Sequence, residues 1–182
     1  MTTIAIIDWE TTGLTLHPDV AAHKQPKAIE FGGVLLRISA DEVRIEEATS
    51  ILINPGEPLE PIITKITGLT DADLADAPTF MQVLPQLVRF FKEADGVVAH
   101  NLPFDRSILR GELVRNNITE FPWPASELCT VGVYQAQWGR NPRLIELYPA
   151  IMGRPLAQTH RALDDANALA EIFIKERLWE LM

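Results

Sequence analysis

Cysteine is nearly absent: Cys129 stands alone in 182 residues, which excludes an internal disulfide and fits a reducing, cytoplasmic setting. Long apolar runs are also missing. The amino-terminal stretch Ile4 to Ile7 is interrupted by Asp8, far short of a signal h-region or a membrane span, and no other segment qualifies. Basic charge is scarce, with 16 Lys plus Arg against 25 Asp plus Glu and a net charge of −9. That balance argues against a protein that coats long duplexes electrostatically. It is compatible with one that meets a few phosphates through bound cations. Repeats, low-complexity tracts and linkers are lacking as well, so residues 1–182 are expected to form one domain.

What is there begins as strands. Ile4 to Ile7 reads as a short buried strand, Ile29 to Ile38 as a second and Val43 to Asn54 as a third, ended by Asn54-Pro55-Gly56. A polar loop with His17, Pro18 and Pro26 joins the first two. Helical spacing then takes over: Phe80, Val83, Leu84, Leu87, Val88 and Phe91 mark one helix, with Pro85 predicting a kink or restart. Gly96 to Ala99 reads as a strand followed by a helix from about Phe104, whose stripe is Ile108, Leu109 and Leu113. Five prolines between Phe121 and Pro155 divide two short helices, around Val131 to Trp138 and Leu144 to Ile151. A last helix is expected from about Arg161 to Trp179. Strands first and helices later imply an α/β fold, a mixed sheet packed by helices.

Against this frame the acidic residues stand out. Asp8 and Glu10, at i and i+2 where the first strand ends, project to one face. Two hard oxygen donors on one face suit Mg²⁺ or Mn²⁺, although the pair alone also fits a solvated turn. Asp105 shares the stripe of Ile108 and Leu109, so its carboxylate faces inward; a helix N-terminal aspartate held by the dipole fits the same position. In the last helix Asp165 lies on the stripe with Leu169 and Phe173, whereas Asp164 aligns with Ala168, Glu171 and Lys175 on the polar side. His160 precedes Asp165 by five residues, too far for the same helical face, and is expected to project from the loop ahead of the helix. Its titration near neutral pH suits a general base, and a structural histidine would fit that place too.

Taken together, Asp8-Trp-Glu-Thr-Thr-Gly-Leu14, Val98-Ala-His-Asn-Leu-Pro-Phe-Asp105 and His160-Arg-Ala-Leu-Asp-Asp165 resemble the three ordered motifs of the DnaQ-like, DEDDh family of 3′-to-5′ exonucleases. Ala28-Ile-Glu-Phe-Gly-Gly-Val34, Ile66-Thr-Gly-Leu-Thr70 and Leu144-Ile-Glu-Leu147 look like its connecting segments. The resemblance implies a ribonuclease H-like fold, a mixed five-stranded sheet with helices on both sides. It implies that Asp8, Glu10, Asp105 and Asp165 bind two divalent cations, Mg²⁺ or Mn²⁺, and that His160 is the His-type catalytic base. By the same implication Thr11, Thr12 and Leu14 place the terminal nucleotide, with Asn101 and Phe104 as pocket supports. Trp9 between the paired acids, Thr67 where many relatives carry histidine, and a long loop over 15–27 depart from the usual pattern.

The expected activity is two-metal release of nucleoside 5′-monophosphates from nucleic acid 3′ ends, with single-stranded or frayed DNA as substrate. A polymerase partner would fit the proofreading branch, which the motifs favour. Two alternatives stay open: a noncatalytic nucleic-acid-binding or polymerase-associated module, and an exoribonuclease acting on short RNA.

Overall fold

The computed structural model describes residues 1–14, 20–157 and 159–182, with the backbone alone for Ala22. His17 and Pro18 of the long loop lie outside the described residues; Pro26 lies within them.

Five strands form one mixed sheet in the order β3-β2-β1-β4-β5. They are β1 (Thr2–Thr11), β2 (Ala28–Ile38), β3 (Val43–Leu52), β4 (Gly96–Ala99) and β5 (Ser126–Cys129). The first three make an antiparallel meander, and β4 and β5 continue the sheet in parallel with β1. Strand β1 runs four residues beyond the expected Ile7. Its polar end, Asp8 to Thr11, pairs with Ala28 to Gly32 of β2, which supplies the backbone partners that the residue pattern does not announce.

Strand alternation splits the sheet residues between two cores. One face gathers Ile4, Ile6, Val34, Leu36, Val98 and Leu128 beneath helices α5 (Thr130–Trp138), α6 (Leu144–Met152) and α7 (Ala162–Lys175). The other gathers Ala5, Ile7, Trp9, Phe31, Leu35 and Val97 beneath α3 (Phe80–Lys92) and α4 (Leu102–Arg115). Helices thus cover both sides, as expected. Trp9, being odd in the alternation, enters the second core and packs on Phe31 with ring centroids 4.7 Å apart. It therefore points away from the face that carries Asp8 and Glu10.

Several boundaries differ from the sequence reading. Helix α3 runs through Pro85 without a restart, its start set by Thr79, whose N–H and hydroxyl both donate to the Gln82 side chain. In α4 the inward stripe is completed by Glu112, 4% exposed, while Leu113 is only half-buried. Glu112 is sustained there because it accepts from the Ala28 N–H and pairs with Arg115. Helix α7 stops at Lys175 rather than Trp179: Arg177 takes a left-handed φ of 52°, and a 3₁₀ turn over Leu178–Leu181 folds Leu178 and Trp179 back onto Phe173. Two short helices, α1 (Pro61–Thr67) and α2 (Asp71–Ala75), and strand β5 were not anticipated.

Candidate active site

The site lies where β1 and β4 end and where α4 and α7 begin, the usual position for ligands in open α/β sheets. Each acid is delivered by a different local device. Asp8 and Glu10 project from β1 toward the α7 side, continuing the alternation of Ile4 and Ile6. Asp105 sits in the first turn of α4, entered through Asn101 as N-cap and Pro103 early in the helix, where a missing N–H is tolerated. Asp165 sits in the first turn of α7. Asp105 is 2% exposed and Asp165 8% exposed, whereas Asp164 is exposed and accepts from the Thr159 hydroxyl at 2.5 Å. The helical periodicity therefore separated the two neighbouring aspartates correctly.

The start of helix α7 reaches the sheet because β2 offers no side chain at Gly32 beneath Ala162. A Cβ on Gly32 would lie 2.1 Å from the carbonyl carbon of Ala162, so only glycine permits this approach. Gly32 is opposite Asp8 in the β1–β2 register, and Glu30 is opposite Glu10.

Electrostatics shows that the four acids converge. Burial raises the Asp8 pKa well above the ordinary carboxylate range, and Asp105, Glu10, Asp165 and Glu30 add to the rise in that order. Glu10 is pushed up to about 8, first by burial, then by Asp165 and Glu30, with Arg161 opposing and Asp105 adding. Burial also raises Asp105, while its own backbone N–H and that of Trp9 act in the other direction. Such a cluster binds protons unless positive charge is supplied.

His160 is half-buried on the loop before α7 and has a left-handed φ of 50°. A ring nitrogen of His160 and carboxylate oxygens of Glu10 and Asp165 all lie within 4.8 Å of one another. The donors here are hard oxygens and one imidazole, and Asp105 Oδ1 is buried without a hydrogen-bond partner among the described residues. That oxygen and the crowded carboxylates fit divalent cations of the Mg²⁺ or Mn²⁺ type, which would both satisfy the orphaned atom and offset the repulsion.

An open cleft of about 610 Å³ is lined by Asp8, Asp165, His160 and Asn101, together with Arg143 and Ile145. Asn101 is thus brought to the acids. Thr12 and Leu14 line a second depression of about 510 Å³ with Lys24, Gln25 and Glu57. Leu14 is 85% exposed, and Thr11 is buried with its hydroxyl donating to the Gly13 carbonyl. Phe104 is half-buried against the α3–α4 core and is not among the cleft residues.

Two residues escaped the sequence reading. His100 accepts at Nδ1 from the Thr130 hydroxyl and donates from Nε2 to the Pro142 carbonyl, both at 2.9 Å, because a carbonyl can only accept. Burial lowers its pKa, and it ties the loop before α6 to the cleft wall. Glu30 is 1% exposed and bonded to Arg161, Ala162 and Ser50. The signal for Glu30 was an acid near the start of a largely apolar strand; no periodicity marked His100.

Comparison with known proteins agrees with this geometry. A family model described as Exonuclease matches residues 5–173. A Mycobacterium tuberculosis protein described as a bifunctional exonuclease/endonuclease is 36% identical over 94% of the chain, which spans only 26% of that relative. The DNA polymerase III subunit epsilon of Aquifex aeolicus is 30% identical, with 97% of the chain covering 82% of it. Among solved structures, the nuclease domain of 3′hExo, a DEDDh family member bound to rAMP, superposes with a TM-score of 0.76 at 20% identity, covering 98% of this chain and 92% of that one. The five-stranded sheet with helices on both sides is the ribonuclease H-like fold. With the family model spanning nearly the whole chain and the epsilon subunit matched over most of its length, the chain belongs to the exonuclease family.

Proposed function

We propose that this exonuclease removes nucleotides from the 3′ end of single-stranded or frayed DNA, releasing nucleoside 5′-monophosphates. The observation that carries the reading is the mutual proximity of Asp8, Glu10, Asp105 and Asp165, with Glu10 and Asp165 beside His160 and with Asp8, Asp165 and His160 lining one cleft. Those four acids would hold two divalent cations, Mg²⁺ or Mn²⁺, which when bound supply Lewis-acid polarisation of the phosphate and of the attacking water. His160 accepts the proton of that water as its oxygen bonds to phosphorus. The bond from phosphorus to the 3′ oxygen breaks, the phosphate stays on the released nucleotide, and the shortened strand keeps a 3′ hydroxyl.

The protein's other groups position the strand. Asn101 lies on the cleft wall beside Asp8, and the exposed Leu14 side chain is free to pack on the terminal base, with Thr11 and Thr12 fixing the turn that carries it. Phe104 supports α4 beneath the site. The similarity to an epsilon subunit favours DNA over RNA and a polymerase as partner.

The test is hydrolysis of a 5′-labelled single-stranded DNA oligomer and its RNA counterpart with Mg²⁺, Mn²⁺ or chelator. Wild type should give a metal-dependent ladder shortening from the 3′ end, with Asp8→Ala abolishing it and His160→Ala slowing it by about 10²- to 10⁴-fold. Products with 3′-phosphates would refute the reaction, RNA cleavage outpacing DNA would reassign the substrate, and inactive wild type on both would leave a binding module.

A further inference from the structure

Glu30 is a buried carboxylate for which the chemistry above has no use. It lies directly opposite Glu10 on the same face of the sheet, where two carboxylates repel and burial makes an uncompensated charge costly. All of its bonds nevertheless run to other partners. Oε2 accepts from Arg161 Nε at 2.9 Å and from the Ala162 N–H at 3.2 Å; Oε1 accepts from Arg161 Nη2 and Ser50 Oγ, both at 2.8 Å. These bonds occupy the roughly four lone-pair sites of a carboxylate, which leaves none for a cation.

What Glu30 holds is the junction between His160 and α7. Arg161 is the N-cap and Ala162 the first helical residue, and the Asp165 N–H bonds back to the Arg161 carbonyl at 3.1 Å. His160, one residue earlier, has a left-handed φ that costs a side chain free energy and persists only where the surroundings enforce it. The Arg161 fork and the Ala162 N–H, both anchored on β2, are such an enforcement. We infer that Glu30, acting through Arg161 and the first turn of α7, is a positioning residue that fixes His160 and Asp165 relative to Glu10. This role rests on the exonuclease reading.

Its test compares Glu30→Gln, Arg161→Met, Arg161→Lys and the double variant Glu30→Gln/Arg161→Met in the full chain. Three quantities are measured: kcat and KM on single-stranded DNA, Mn²⁺ affinity by calorimetry, and the folded fraction by circular dichroism at the assay temperature. Glu30→Gln and Arg161→Met should each lower kcat about 10- to 100-fold with KM nearly unchanged, and should weaken Mn²⁺ binding by about 10-fold or more. The double variant should be no worse than the worse single, since both break one clamp, and Arg161→Lys should recover part of the loss. If Glu30→Gln unfolds, the Arg161 variants decide, because that side chain is 40% exposed.

Folded variants with wild-type kcat, losses that multiply in the double variant, or a kcat that merely follows the folded fraction would each overturn the clamp while leaving the exonuclease reading intact. A wild type that leaves every 3′ end untouched would overturn the reading itself.

Discussion

Glu10 shows how far a single carboxyl in this site is held from its ordinary behaviour. Its pKa is raised from 4.5 to about 8, chiefly by burial and then by Asp165 and Glu30. Between those values the folded chain keeps a proton that the unfolded chain has released, so the Glu10 contribution to stability falls as pH rises through that window. A divalent cation takes the deprotonated form and cancels the penalty. We predict that, in chelator, the Tm falls from about pH 5 to about pH 8, less steeply in Glu10→Gln, and that Mn²⁺ raises it more at the upper pH. Thermal melts at both pH values decide this: a wild-type Tm that rises with pH in chelator, or a Glu10→Gln slope equal to wild type, would count against it. The acids themselves were legible in the sequence because Asp105 and Asp165 interrupt helical stripes and because Asp8 and Glu10 share strand parity. Glu30 and His100 were not assigned roles, since their parts depend on partners 131 and 42 residues away in the chain.

At the scale of elements, the packing of α7 on β2 decides whether the site assembles. An added methyl at Gly32 would meet the Ala162 backbone, which cannot rotate aside as a side chain can, so the helix would have to lift. Gly32→Ala should therefore cost about 1–3 kcal/mol, the usual range for overpacking. It should also lower turnover beyond the loss of folded protein, because Asp165 and His160 travel with the helix start. Denaturant melts and initial rates on one sample would show it, and unchanged stability would mean that α7 has slack against the sheet. The long periodic helices and the apolar strands were readable in advance because each is encoded by its own pattern. Strand β5 was not: of its four residues only Leu128 is buried, and it exists through pairing with β4. Helices α1 and α2 did carry signals, Pro61 at the start and Gly68 at the end of one, and a Thr70–Asp73 capping box on the other, but each is too short to show a stripe. The end of α7 was hidden because Arg177 adopts the left-handed turn usually announced by glycine.

Taken whole, the molecule has little net positive charge with which to hold a polyanion, and its acidic cleft would need bound cations to do so. Net charge is −9, and many arginines of the described residues are already paired: Arg89 with Glu47, Arg106 with Glu127, Arg140 and Arg143 with Glu146, and Arg161 with Glu30. None of the described helices is long and apolar enough to cross a membrane. Binding should then depend on the cations in the acidic site and on a few terminal nucleotides splayed into the cleft, rather than on a long backbone track. Single-stranded DNA loses affinity with salt at a slope of about −0.7 per phosphate neutralised by protein cations. With two such contacts or fewer, the log of the affinity against the log of monovalent salt should have a slope of about −1.4 or shallower, measured with Ca²⁺ replacing the catalytic ion to suppress cleavage. Lengthening the strand beyond a few nucleotides should leave that slope unchanged, and a blunt duplex should bind more weakly because its end must first fray. A slope that steepens with strand length would instead reveal an extended basic path, and the terminal-grip picture would fail.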